Sequence, residues 1–300
     1  MKKYRPVVET HPGRGAVPQF VAAALASACA LCLHSMNAVA GAPTPFVAWV
    51  AVADGGSFTI IRGAEVLAGT KGVTLLAGDM IETGPNALLL AEARDGSVIA
   101  LGPSTHCYAL PRGEGTALIL AKGWLKLDAH ETRLDLASRR LAIRGAKAVV
   151  VLHSGEQSDQ VFEEQGQVQL VARERSTAPI GRSTLSSQRF LMLEDAGRVD
   201  TQSAPNEEFV AAMPVPFRDR LPIIAQGQAS AVAPAALRLV SFGDVQSWFS
   251  LPREWRVGFV ERFRTRLVDP TFLAAIEAHL AEWPEWQEPL HPRQKSDTQP

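Results

Sequence analysis

Short apolar runs, each broken within a few residues by a glycine turn, dominate the chain from Phe46 to about Ala172. Phe46–Ala53, Ser57–Arg62, Ala87–Ala93, Ser97–Leu101, Ala117–Leu127, Leu141–Leu152 and Gln167–Val171 read as strands. Between them stand Asp54-Gly55-Gly56, Arg62-Gly63, Gly78-Asp79, Thr83-Gly84-Pro85-Asn86, Asp95-Gly96 and Gln165-Gly166. Turns of this kind call for left-handed backbone that glycine adopts without a Cβ clash, and Gly84 is expected to supply it in its turn. No helix-length amphipathic stretch separates the strands, which argues against a parallel sheet with crossover helices. The pattern predicts a mainly β fold, a sandwich or a solenoid-like stack, over residues 46–172.

Residues 173–240 change character. Ser, Thr, Gln and Pro accumulate, and the segment reads as a linker or extended strap with one short helix near Asn206–Ala212. From 241 to 290 the pattern becomes helical. Trp255, Phe259, Phe263 and Leu267 recur every four residues, a stripe expected to pack on the β domain. Asp269-Pro270 supplies an N-cap and a first-turn proline, and Phe272, Leu273, Ile276 and Leu280 give the next apolar face. Residues 291–300 form a polar tail, expected to be disordered.

The first 40 residues read as an export signal. Lys2, Lys3, Arg5 and Arg14 outweigh Glu9 ahead of the uncharged run Phe20–Leu33. That run is too short to span a bilayer as a helix but suits a signal-peptide apolar region. Ala38 and Ala40 place small side chains where signal peptidase needs them, so the cut is expected before Gly41. Cys29, preceded by Ala26, Ser27 and Ala28, offers a lipoprotein-type alternative. The expected location is periplasmic or secreted, with no transmembrane span after cleavage.

Charge narrows the partners. The chain holds 30 basic and 31 acidic residues. Removing Lys2, Lys3, Arg5, Arg14 and Glu9 with the leader leaves 26 and 30, a net charge of −4. That balance offers no electrostatic footprint for nucleic acid. Cleavage would also leave Cys107 alone, so no internal disulfide is expected.

The glycine-turn region resembles the periplasmic FecR domain. The resemblance rests on Gly56 and Arg62-Gly63, on Gly78-Asp79-Met80-Ile81-Glu82-Thr83-Gly84, and on Asp95-Gly96-Ser97 followed by Leu101-Gly102-Pro103. It covers about residues 50–170. Proteins of that family relay a signal from an outer-membrane receptor to a cytoplasmic sigma factor, through a helical domain ahead of a membrane span. Only 19 residues precede the apolar segment here, so the resemblance implies the envelope-side module without the cytoplasmic regulator domain. The ending from Asp244 to Trp286 is similar to C-terminal extensions of signal-peptide-bearing FecR-like proteins.

Candidate chemistry is sparse. His106 and Cys107 are neighbours, but on a strand adjacent side chains point to opposite faces, so Cys107 reads as a buried thiol. Asp128 and His130 would share a strand face, but no third metal ligand stands at a recognisable spacing. Asp79 and Asp95 lack the repeated spacing of a calcium loop, and Asp79 is expected to accept backbone N–H groups in its turn. No cofactor motif is present. Among the arginines of 253–266, Arg256, Arg262 and Arg266 form the candidate interaction surface, for carboxylates or phosphates. The expected function is an exported, non-catalytic binding or regulatory module of the envelope, its partner another envelope protein or a cell-wall component. The alternative is an envelope hydrolase acting on glycans, with Asp79, Asp95 and Asp128 as its available carboxylates.

Overall fold

The computed structural model describes residues 47–112, 115–129, 133–173, 182–195, 197–222 and 232–291; the export segment, its cleavage site, His130 and the tail beyond 291 lie outside them. The chain begins with β1 (Val47–Asp54), β2 (Phe58–Arg62), β3 (Glu65–Gly69), β4 (Thr74–Leu76), β5 (Met80–Thr83), β6 (Leu88–Ala93), β7 (Val98–Leu101), β8 (His106–Arg112) and β9 (Gly115–Asp128). It continues with β10 (Arg133–Ser138), β11 (Leu141–Ala146), β12 (Val149–Ser154), β13 (Ser158–Gln165), β14 (Gln167–Ala172), β15 (Arg182–Ser186), β16 (Arg189–Glu194) and β17 (Val199–Gln202). Helices α1 (Glu207–Ala212) and α2 (Val215–Arg218) follow, then β18 (Ala235–Leu239). The rest is short helices: α3 (Phe242–Val245), α4 (Arg253–Arg256), α5 (Phe259–Phe263), α6 (Pro270–Ala278) and α7 (Gln287–Leu290), with 3-10 turns between them.

The strands form two sheets that face each other across one core. The first runs β4-β1-β6-β7-β9-β12-β13-β16-β17, and every pairing in it is antiparallel. The second runs β18-β3-β2-β5-β8-β9-β10-β11-β14-β15, with the β9–β10 pair alone parallel. The chain passes repeatedly from one sheet to the other, so the mainly β expectation holds, with sandwich packing and a winding path. β9 belongs to both sheets: its first half pairs with β8 and its second with β7 and β12.

Inward residues alternate as a pleated strand requires. Phe58 and Ile60, Leu118 and Leu120, Leu125 and Leu127, Leu141 and Ile143, and Leu191 and Leu193 all enter the shared core. The outward residues are also largely apolar, because helices cover both outer faces. Over the first sheet, Phe209, Met213, Phe217 and Leu221 pack on Leu90, Trp124, Val151 and Phe190. Over the second, Trp248, Trp255, Phe259, Phe263, Phe272, Ile276 and Trp286 pack on Ile61, Val66, Met80, Tyr108 and Ile119. The stripe Trp255, Phe259, Phe263 is thus fully buried, with Leu267 at its margin. It is carried by α4, α5 and a 3-10 turn at Arg264–Val268, not by one helix.

The 173–240 strap is corrected by the structure. β15, β16 and β17 extend the two sheets, and β18 adds an edge to β3. The short helix does form, with Asn206 Oδ1 accepting from Phe209 N at 2.8 Å. The single strand expected over 141–152 is two, β11 and β12, because Lys147 turns the chain with a φ of 53°. Gly84 is not left-handed. The left-handed residue at that corner is Gly55 (φ +70°), where a Cβ would meet Asn86 O at 2.3 Å.

Gly123 marks the place where β9 leaves one sheet for the other. Its φ is +90°, and a Cβ there would lie 2.5 Å from Thr105 Oγ1, which accepts from Trp124 N at 2.9 Å. Gly123→Ala should lower stability by more than the roughly 1–3 kcal/mol of backbone strain alone, since Thr105 must also move. A denaturation midpoint within error of the parent would show that the corner relaxes without cost.

Candidate functional site

The arginines marked by sequence turn inward. Arg262 donates from Nε to Gly63 O at 3.0 Å, from Nη1 to Gly78 O at 2.6 Å, and from Nη2 to Ile61 O. Burial lowers its pKa from the ordinary arginine value, and the Tyr108 and Asp79 side chains oppose that shift. Arg256 and Glu285 form a buried ion pair at 3.1 Å. Arg266 donates to Val240 O and to Asp269 Oδ2, each at 2.7 Å. These three hold the helical layer to the sheet and to itself, so the expected anion-binding surface is not presented.

The motif turns meet at the same place. Asp79 is fully buried and accepts from Arg62 Nε at 2.8 Å, Arg62 Nη2 at 2.6 Å and Leu76 N at 2.8 Å. Arg62 also donates to Thr74 O at 2.8 Å. The Arg-Gly and Gly-Asp turns are therefore tied by one bidentate ion pair, and Arg262 clasps their carbonyls from above. Asp79 keeps the backbone acceptor role expected of it, with a guanidinium partner added. Asp95 accepts from Ser97 N and Oγ at 3.1 and 2.7 Å. Asp128 ends β9 opposite Val98 and Val149, and its expected partner His130 lies outside the described residues.

His106 and Cys107 point to opposite faces. Burial pushes the Cys107 thiol up to about 12. His106 stacks on Trp248 with ring centroids 5.3 Å apart, and burial, then Lys122, brings it down to about 4. Ser247 Oγ and Glu82 Oε1 both approach its Nδ1, at 3.4 and 3.6 Å. A nucleophile relay uses the two ring nitrogens separately, so this cluster lacks that geometry.

Glu163 is a buried group without a hydrogen-bond partner among the described residues. It lies on the inner side of β13 in register with Arg189, and neither carboxyl oxygen is hydrogen-bonded among the described residues. Burial, then the Glu164 charge, pushes it from 4.5 up to about 8. The folded chain then keeps a proton that the unfolded chain releases above about pH 4.5. Stability therefore falls as pH rises from about 4.5 to about 8 and levels off beyond. Glu163→Gln should remove that slope, so its advantage over the parent grows across this window. Parallel slopes for the two proteins would show that Glu163 is ionised in the fold.

Among the described residues, one sheet face stays open. On the second sheet, beyond the helical layer, β10, β11, β14 and β15 bring Asp135, Arg144, Gln169 and Thr184 into one cross-strand row. Gln167 stands two residues along from Gln169. Arg144, Gly145, Gln167, Gln169 and Thr184 line a shallow cleft of about 280 Å³. Asp135 is shared between two guanidiniums, with Arg112 Nη1 at 3.5 Å and Arg144 Nε at 3.9 Å. Both distances exceed those of a good hydrogen bond. Asp135 Oδ1 and Arg144 Nε are themselves shielded from solvent and have no hydrogen-bond partner among the described residues. The row can take a ligand carboxylate at Arg144 and offer carboxamide and hydroxyl groups beside it. No local motif announces it, since its members come from four strands.

No family model matches the chain, and no curated protein does. The solved structures that are similar in part include two crystal structures of a "putative anti-sigma factor" from Parabacteroides distasonis ATCC 8503. Each is 11% identical with a TM-score of 0.38, over 44% of this chain. The match spans 63% and 62% of those chains, under two thirds of their length. A likeness of that size carries no weight for fold or function. Among the described residues, no helix is long and apolar enough to cross a membrane.

Proposed function

We propose that this chain is an exported, non-catalytic binding or regulatory module of the bacterial envelope, built on a FecR-like β domain. The observation that carries the reading is the open row Asp135, Arg144, Gln169 and Thr184, in which Asp135 Oδ1 and Arg144 Nε have no hydrogen-bond partner among the described residues. Helices cover apolar surface on both sheets, and the motif turns are engaged by Arg62 and Arg262. This row is where a partner, an envelope protein or a cell-wall component, finds donors and acceptors to use. The basic flank, apolar run and Ala38/Ala40 pair support export.

Two measurements test the reading. N-terminal sequencing of protein from the periplasmic fraction should start at Gly41, and a cytoplasmic protein starting at Met1 would end the export argument. A photo-crosslinking side chain at Gln169 should give a discrete adduct in cells, while one at the exposed Val268 should not. Failure to form any adduct at Gln169 removes the open face as a binding site.

A further inference from the structure

We infer that the open face binds a carboxylated polysaccharide, with one of its carboxylates seated on Arg144. The inference rests on the binding reading above and names the ligand class. Its first support is electrostatic. Asp135 serves two guanidiniums and bonds well to neither, and among the described residues no second carboxylate pairs with Arg112 or Arg144. The Arg144 side chain is partly exposed although its Nε is shielded beside Asp135, so a ligand carboxylate meets the exposed part of the side chain.

The second support is the chemistry of the rest of the cleft. Gln167 and Gln169 project from one face of β14, about 7 Å apart at the rise of a strand. Thr184 lies across from Gln169 on the next strand. Carboxamides and a hydroxyl at such spacings both donate and accept, which suits successive hydroxyl-rich units of a sugar chain.

The third support is what the face presents to a protein. Protein interfaces draw their energy from buried aromatic and aliphatic anchors in desolvated pockets. The residues lining this cleft are arginine, glycine, glutamine and threonine, so a highly hydrated ligand fits it better than a folded protein or an acidic peptide.

The test uses the full chain and soluble polymers of known charge. Polygalacturonate should bind, and its fully methyl-esterified form, with the same backbone and no carboxylates, should bind at least about tenfold more weakly. Arg144→Ala should reduce polygalacturonate affinity by about tenfold or more, the loss of one charged hydrogen-bonded contact. Arg144→Lys should restore part of it, since charge returns without the fork. Poly-L-glutamate, which brings carboxylates without sugar, should bind weakly. Equal binding of the esterified polymer, equal binding of poly-L-glutamate, or an unchanged Arg144→Ala affinity each overturns the inference. A protein adduct at Gln169 in cells, with no polygalacturonate binding, overturns this inference and leaves the binding reading standing.

Discussion

Asp159→Ala should lower the stability of the folded chain by about 3–5 kcal/mol, the range for breaking a buried ion pair from one side. Asp159 is fully buried at the start of β13. It accepts from Ser138 Oγ at 2.5 Å, Ser154 Oγ at 2.8 Å, Arg140 N at 3.0 Å and Arg140 Nη1 at 3.0 Å. Arg140 is nearly buried as well, and also donates to Asp195 Oδ1, Gly155 O and Glu156 O. The node therefore pins three turns, at β10–β11, β12–β13 and β16–β17, across the two sheets. Removing the carboxylate leaves a buried guanidinium and two buried hydroxyls without their acceptor, and those groups carry the cost. Asp159→Asn keeps the shape and should fall between parent and alanine. The double change Arg140→Met with Asp159→Leu should cost less than Asp159→Ala alone, because no orphaned charge remains. Urea midpoints with unchanged slopes would measure all three, and a loss under about 1 kcal/mol for Asp159→Ala would show the node to be dispensable.

This node also shows why sequence reading stopped where it did. β13 reads Ser-Asp-Gln-Val-Phe-Glu-Glu-Gln, and two of its inward residues are acids. Sequence pattern alone suggests a polar loop, because the Arg140 and serines that compensate Asp159 come from a turn and from two other strands. β15 hides for a different reason. It buries only Leu185, so Arg-Ser-Thr-Leu-Ser looks like linker until β14 is placed beside it. The glycine turns, by contrast, were legible, since left-handed backbone leaves a local mark at Gly55, Gly63, Gly78 and Gly96. Lys147 makes the same kind of turn without glycine, and there the reading fused two strands into one. The candidate site was not legible at all. Asp135, Arg144, Gln169 and Thr184 become neighbours only through the register of four strands.

The candidate surface of Arg256, Arg262 and Arg266 is the clearest reversal, and its engagement within the fold yields a prediction opposite to the one a solvated face would suggest. The carbonyls of Ile61, Gly63 and Gly78 all accept from Arg262, and only the fold brings Arg262 onto them. An arginine on a solvated helix face would be replaced at little cost. Here Arg262→Met keeps the apolar stem but removes three bonds from a charged donor. It should cost about 2–3 kcal/mol, a loss that added salt does not mimic. Beneath it, Phe263 is fully buried, with Phe259, Phe249 and Phe272 ring centroids at 5.7, 6.4 and 6.3 Å. Phe263→Ala should cost about 3–5 kcal/mol, since a cavity adds to the lost transfer energy. Four of the six tryptophans, Trp248, Trp255, Trp283 and Trp286, lie in this helical layer, so tryptophan fluorescence follows its unfolding closely. If the layer and the sheets unfold together, fluorescence and far-ultraviolet dichroism should shift by the same amount in both variants. If fluorescence moves first in Phe263→Ala, the helices open as a unit of their own while the sandwich persists. A fluorescence midpoint that does not move in Phe263→Ala would show that the stripe is not the core of that layer.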